Sequence, residues 1–193
     1  LDFENVRPEE RKANLREQLL NMPLLYPSGR GTLYSDLGFM MLEWVVEEIA
    51  GMKLPQFLRK HFYDPLDFNK TFFYEHPVSR RFGEDQLAAT EYCPWRKKVL
   101  KGIVHDENAF AVGGVDGHAG LFGTVSAVHD LLWKILCAYA GKSHNNGLPQ
   151  NYMQTFLNYG QGNERALGFD RPTQPGSSSG QHFSENSVGH LGF

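Results

Sequence analysis

The sequence predicts an α+β fold in which helices dominate and strands gather at the C-terminal end. Two observations carry the helical part: apolar residues recur at helical spacing over 36–50 and again over 125–140. A third carries the strands: Ala166 to Asp170 and Ser187 to Phe193 read as short extended segments around the loop Pro172 to Gly180. Two such strands cannot form a stable sheet alone, so the sheet is expected to be incomplete.

The elements follow in order. Residues 8–22 suit a helix, with Pro8 in its first turn, Glu9 and Glu10 at its positive dipole end, and Leu15, Leu19 and Met22 on one face. Tyr26 to Thr32 carries Pro27, Gly29 and Gly31 and reads as a loop. Over 36–50, Leu37, Met40, Met41, Trp44, Val45 and Ile49 form an apolar stripe, with Glu43 and Glu47 on the opposite face. Ser35 or Asp36 can cap its start, and Gly51 suits its end. A shorter helix is expected over 54–62, with Pro55 in its first turn and Asp64-Pro65 after it.

Residues 63–104 show no sustained period and read as a partly structured excursion; 105–123 read as a compact turn-rich loop. The second strong helix runs over 125–140, capped by Thr124 and stopped by Gly141. Its predicted buried face is Val128, Leu131, Leu132, Ile135, Leu136 and Tyr139. A short helix follows over 150–158. The chain reads as one domain over 1–193, truncated, with a helical part at 8–160 and a strand and loop part at 161–193.

With 193 residues and 41% hydrophobic residues, the chain is long enough for one core without disulfide or metal staples. A formal net charge of -3 argues against nucleic acid as a partner. No run of about 18 apolar residues predicts a membrane span. Cys93 and Cys137 are the only cysteines and form no framework or metal pair by spacing. The chain opens at Leu1 with no visible signal peptide, which leaves the compartment open between bacterial periplasm and cytoplasm.

Four segments bear on chemistry. Tyr34-Ser35-Asp36 stands at the start of the best helix, where unpaired N–H groups and the dipole give positive potential. A phenol there, close to a cation, loses its proton more readily than its ordinary pKa near 10 implies, so Tyr34 is a candidate general base. Gly176-Ser177-Ser178-Ser179-Gly180 matches a nucleophile-elbow pattern but lacks the strand before it and the helix after it, so it reads as a flexible loop. His105, Asp106, Glu107 and His118 lack the one-turn spacing of a zinc helix, so no metal site is expected from them. Gly113 to Gly117 lacks the Lys-Ser/Thr ending of a phosphate loop.

Taken together, several motifs resemble the serine β-lactamase and penicillin-binding-protein superfamily, most closely its class C-like and esterase-like branch. Tyr26-Pro-Ser-Gly-Arg-Gly-Thr-Leu-Tyr34-Ser-Asp-Leu-Gly resembles the second motif, a Pro-Gly loop leading to Tyr-x-Asn. His61-Phe-Tyr-Asp-Pro65-Leu66 resembles the Phe-x-x-Pro-Leu-Gly-Met that follows it. Gly117-His-Ala-Gly-Leu-Phe-Gly-Thr124 resembles the Ala-Gly-Gly-Leu turn before a helix. Val188-Gly-His190-Leu-Gly192-Phe193 resembles the third motif, the Lys/His-Thr-Gly strand.

The resemblance implies the helical subdomain of a β-lactamase-like fold, with an incomplete antiparallel sheet at the C-terminus. It implies a hydrolase without cofactor that forms an acyl-enzyme on a small-molecule or peptide substrate: β-lactams, D-Ala peptides or esters. Tyr34 would handle protons, Asp36 would contact substrate, and His190 and Gly192 would lie on the motif-three strand beside the oxyanion hole. The nucleophile motif Ser-x-x-Lys occurs nowhere in the 193 residues, and Asp36 and Leu191 stand where the family has Asn and Thr or Ser. The isolated chain is therefore expected to be inactive without a missing N-terminal segment, and to expose an apolar face that favours dimerisation. The alternative is a non-catalytic binding module on the same scaffold.

Overall fold

A computed structural model describes residues 6–68, 72–74, 77, 81–142, 147–158, 165–173, 176–177 and 179–192. The chain divides into two compact units, Leu1–Ala127 and Val128–Phe193. Helices dominate, and the strands are short antiparallel pairs, an α+β arrangement. No helix among the described residues is long and apolar enough to cross a membrane.

The first unit opens with α1 (Pro8–Asn21), with proline in its first turn and Glu9 and Glu10 beside it as expected. Helix α2 (Asp36–Ala50) starts at Ser35, whose Oγ accepts from the Leu37 N–H at 3.2 Å, and ends at Gly51 in the left-handed region at φ 62°. Helix α3 (Leu54–Leu58) runs on as a π-turn over Arg59–Tyr63. The wider turn places Tyr63 inward, where its ring meets Phe72 at 5.3 Å and its hydroxyl meets that of Tyr74 at 2.9 Å.

The segment expected to be irregular contains much of the unit's sheet. Strand β1 (Phe72–Phe73) pairs antiparallel with β4 (Phe122–Gly123), and β2 (Ala89–Cys93) pairs with β3 (Lys98–Lys101) as a hairpin. Strands are thus not confined to the C-terminal end, a correction to the sequence expectation. Between β3 and β4, residues 105–123 hold a one-turn helix, α4 (Glu107–Ala111). The unit's core runs through Met40, Tyr63, Leu66, Phe68, Phe72, Phe73, Leu100 and Val104.

A second correction concerns α2. Glu43, expected on the solvent face, is 2% exposed, and Glu47 is also buried, whereas Ile49 of the apolar stripe is 83% exposed and Val45 and Leu42 are exposed too. The reason lies on α1. Lys12 pairs with Glu43, and Arg16 Nη2 reaches Glu43 at 3.1 Å and Glu47 at 2.8 Å. Lys53 Nζ adds a further pair to Glu47 at 3.1 Å, and the Leu54 N–H donates to Glu47 at 3.1 Å. Helices α1 and α2 meet through buried ion pairs, which turns the carboxylates inward and leaves Val45 and Ile49 of the stripe exposed while Met40 stays in the core.

Helix α5 (Val125–Tyr139) starts at Thr124, whose Oγ1 accepts from the Ala127 N–H at 3.2 Å. In the second unit Val128, Leu132 and Leu136 of its predicted buried face are exposed, whereas Ala138 is buried. Gly141 at φ 69° follows the helix, matching its expected stop. Helix α6 (Gln150–Asn158) answers it through the Tyr139 hydroxyl, which donates to Asn158 at 3.0 Å. Strands β5 (Arg165–Ala166) and β6 (Phe169–Asp170) form a tight hairpin turned at Gly168, φ 73°, where one strand was expected over 166–170. The strand expected over 187–193 reduces to one antiparallel bridge between Gly189 and Asp170, with both backbone bonds formed at 2.7 and 3.0 Å. Phe193 lies outside the described residues.

Candidate active site

Tyr34, Ser35 and Asp36 stand at the N-terminus of α2. Tyr34 immediately precedes the Ser35 cap and is 52% exposed. Asp36 is the first helical residue, half-buried at the positive end of the dipole.

The Gly117 turn packs against this helix. A Cβ at Gly117 would collide with the Phe39 carbonyl and lie 2.9 Å from Glu43 Cβ, so only glycine fits. The turn closes on itself through the Asp116 N–H, which donates to the Ala119 carbonyl at 2.9 Å. His118 is buried and places Nε2 2.8 Å from Asp106 Oδ1, the same oxygen that accepts the Ala109 N–H at 2.7 Å as the cap of α4. One carboxylate therefore ties the turn to the start of α4. Burial pushes Asp106 up, but the Ala109 N–H and His118 outweigh it and hold the carboxyl below its ordinary value.

Arg96 is the other organising residue. Its Nη1 donates to the Val104 carbonyl at 2.7 Å, its Nη2 to the His105 carbonyl, and its Nε to Cys93 Sγ at 3.2 Å. No local signal in the sequence marks either Arg96 or the His118–Asp106 pair. The acceptors of Arg96 are main-chain carbonyls eight and nine residues on, and His118 is twelve residues from Asp106.

In the second unit His190 and Gly192 are exposed, and His190 Nδ1 lies 2.8 Å from the Leu191 carbonyl oxygen. No Cβ contact lies within 4 Å of either Gly189 or Gly192, so the backbone here is open to approach. Ser177 and Ser179 bond each other at 2.7 Å within their loop; Ser178 lies outside the described residues. His105, Asp106 and His118 do not converge as a metal set: His105 faces Glu91 at 3.5 Å, whereas His118 faces Asp106.

The described residues thus combine helices and small antiparallel strand pairs with a capped Tyr-Ser-Asp helix start and a glycine-rich turn seated on that helix. The family described as Beta-lactamase matches residues 2–193, and the chain belongs to it. Among curated relatives, an N-acetylmuramyl-L-alanine amidase of Bacillus subtilis is 33% identical over 196 residues, covering 92% of this chain and 43% of that protein. A protein of Escherichia coli named "Putative D-alanyl-D-alanine carboxypeptidase" is 34% identical over 137 residues, covering 65% of this chain and 31% of that protein. The chain thus spans less than half the length of these relatives. A solved structure, the octameric penicillin-binding protein homologue from Pyrococcus abyssi, matches in fold with a TM-score of 0.53 at 14% identity, covering 78% of this chain and 30% of that one.

Proposed function

We propose that the chain is the second- and third-motif portion of a serine hydrolase that cleaves D-alanyl or muramyl peptides through an acyl-enzyme. The observation that carries the reading is the exposed Tyr34 beside the Ser35 cap, within a sequence that aligns along 92% of its length to a relative named as a muramyl-alanine amidase. The relative named for D-alanyl-D-alanine carboxypeptidase supports the same class of substrate. β-Lactams and simple esters present the same acyl carbonyl and belong to the wider range.

In this reading a serine hydroxyl attacks the carbonyl carbon, and its proton passes to the departing amine. Water then attacks the acyl-serine ester and releases the acid. Tyr34 carries the proton between nucleophile and leaving group. His190 and Gly192 flank the segment whose main-chain N–H groups face the developing oxyanion. The Ser-x-x-Lys nucleophile is not among the 193 residues, so this reading assigns it to sequence outside them and makes the isolated chain inactive.

Asp36 and Leu191, in place of the family's Asn and Thr or Ser, favour a second reading, a non-catalytic binding module on the same scaffold. Intact-mass measurement after treatment with a fluorophosphonate and, separately, a penicillin decides between them. The hydrolase reading expects an adduct on the full translated protein and none on this chain alone. No adduct on either folded protein overturns it in favour of the module. An adduct on this chain places a nucleophile within it, with Ser178 the first serine to substitute.

A further inference from the structure

Outside the Tyr34 region, one cluster of metal-ligating side chains stands out among the described residues. Donor atoms of Glu91, Cys93 and Glu107 all lie within 4.8 Å of one another. Glu91 and Cys93 lie two residues apart on β2, and both are more buried than the residues between and before them. Glu107 comes from a different element, the first residue of α4. His105 adds an imidazole at the rim, with Nε2 3.5 Å from Glu91 Oε1.

The two elements are already locked together. Arg96 binds the carbonyls of Val104 and His105 and, through Nε, the sulfur of Cys93, so one side chain fixes the segment entering α4 against the end of β2. Zinc bonds of about 2.0–2.3 Å place neighbouring tetrahedral ligands roughly 3.3–3.7 Å apart, so side-chain rotation of about 1 Å closes the set. The donors also select the metal. A thiolate beside carboxylate and imidazole suits a borderline divalent ion and not calcium or magnesium, which take oxygen ligands. Charge closes as well: a divalent ion with one thiolate and two carboxylates carries -1, and the guanidinium of Arg96 stands at the sulfur as a supporting N–H donor.

We propose that Glu91, Cys93 and Glu107, with His105 beside them, form a structural site for a zinc-class divalent cation that ties the β2–β3 hairpin to the start of α4. The site is independent of the hydrolase reading. It lies in the first unit, touches none of Tyr34, Asp36, His190 or Gly192 in its donor set, and has no part in acyl transfer.

The test is cobalt(II) titration of the chelator-stripped chain, read by absorption. The expected result is one equivalent bound, with a thiolate-to-cobalt charge-transfer band that zinc displaces. Cys93→Ser removes the band, and Cys137→Ser leaves it intact. Because Cys93 is buried, its substitution risks the fold. Glu107→Gln is therefore the second variant: Glu107 is exposed, the variant is checked for folding by circular dichroism, and its cobalt affinity is expected to fall at least tenfold. Failure to bind one equivalent, a band that follows Cys137 instead, or unchanged affinity in folded Glu107→Gln overturns the proposal.

Discussion

Arg16 Nη2 lies 2.8 Å from Glu47 Oε2, joining α1 to α2 across 31 residues of sequence. The same guanidinium reaches Glu43 and stacks 5.2 Å above the Trp44 ring, so it satisfies two buried carboxylates and covers an aromatic face at once. Removing one partner of such a pair leaves a buried charge uncompensated, which costs more than the pair contributes. Arg16→Ala is expected to lower stability by about 3 kcal/mol. Urea unfolding checks this, and a change below about 0.5 kcal/mol would show that Lys12 and Lys53 suffice.

The two carboxylates of α2 also make a pH prediction. Glu47 is buried, which raises its pKa, but its bonds from Glu43 and the Leu54 N–H and the charges of Lys12 and Arg16 overcome this and hold it at about 2. Glu43 moves the other way, pushed up by burial against the pull of Lys12. A carboxylate depressed on folding stabilises the fold above its unfolded pKa near 4.5, and this contribution is lost as pH falls toward its folded value of about 2. Glu43 binds its proton more readily in the folded state, so acid lability belongs to Glu47. Glu47→Gln is therefore expected to cost roughly 2 kcal/mol at neutral pH, with the gap from the wild type narrowing below pH 4.5 and closing near pH 2. Denaturant melts across that range measure it; a gap independent of pH would refute the assignment.

The helix boundaries were legible because their signals are local. Pro8, Ser35, Gly51, Thr124 and Gly141 each mark a terminus through a neighbour within a few residues. Burial was not, because it depends on distant partners. The pattern of α2 sends Glu43 and Glu47 outward, and Lys12 and Arg16, about thirty residues earlier, turn them in, with Lys53 and the Leu54 N–H adding to the hold on Glu47. The β2–β3 hairpin escaped because its strands are short and half polar, its register shifts between Ala89 and Tyr92, and its turn uses Lys97 at φ 51° where glycine would have announced it. At the site, motif resemblance located Tyr34 and Asp36 at a helix start. The Arg96 and His118 ties that shape the surrounding loops had no such marker.

Gly117 offers a steric test of the turn seated on α2. An added methyl would run into the Phe39 carbonyl, and main chain cannot rotate aside as a side chain does. Gly117→Ala is expected to destabilise the fold by about 3 kcal/mol, at the upper end for overpacking. Gly38, on the same helix, has nothing within 4 Å of its Cβ position, so Gly38→Ala should stabilise the helix by up to about 1 kcal/mol. Thermal melts of the two variants should move in opposite directions; a shared sign would show that the turn can shift away from α2.

Tyr34 and Ser35 are adjacent, yet their substitutions should separate chemistry from structure. Ser35 caps α2 through the Leu37 N–H, so Ser35→Ala is expected to cost about 1 kcal/mol of stability. Tyr34 is half exposed, and Tyr34→Phe keeps the ring while removing only the hydroxyl, so stability should change by less than about 0.5 kcal/mol. If that hydroxyl carries the proton during acyl transfer, Tyr34→Phe in the full translated protein should slow acylation by a penicillin roughly 10²–10⁴-fold. Ser35→Ala should slow it only as far as the helix start loosens. Stopped mass measurements of acyl-enzyme formation, beside thermal melts of the same samples, give both numbers. Acylation unchanged in Tyr34→Phe would remove the tyrosine from the mechanism, and the capped start of α2 would then be a binding surface alone.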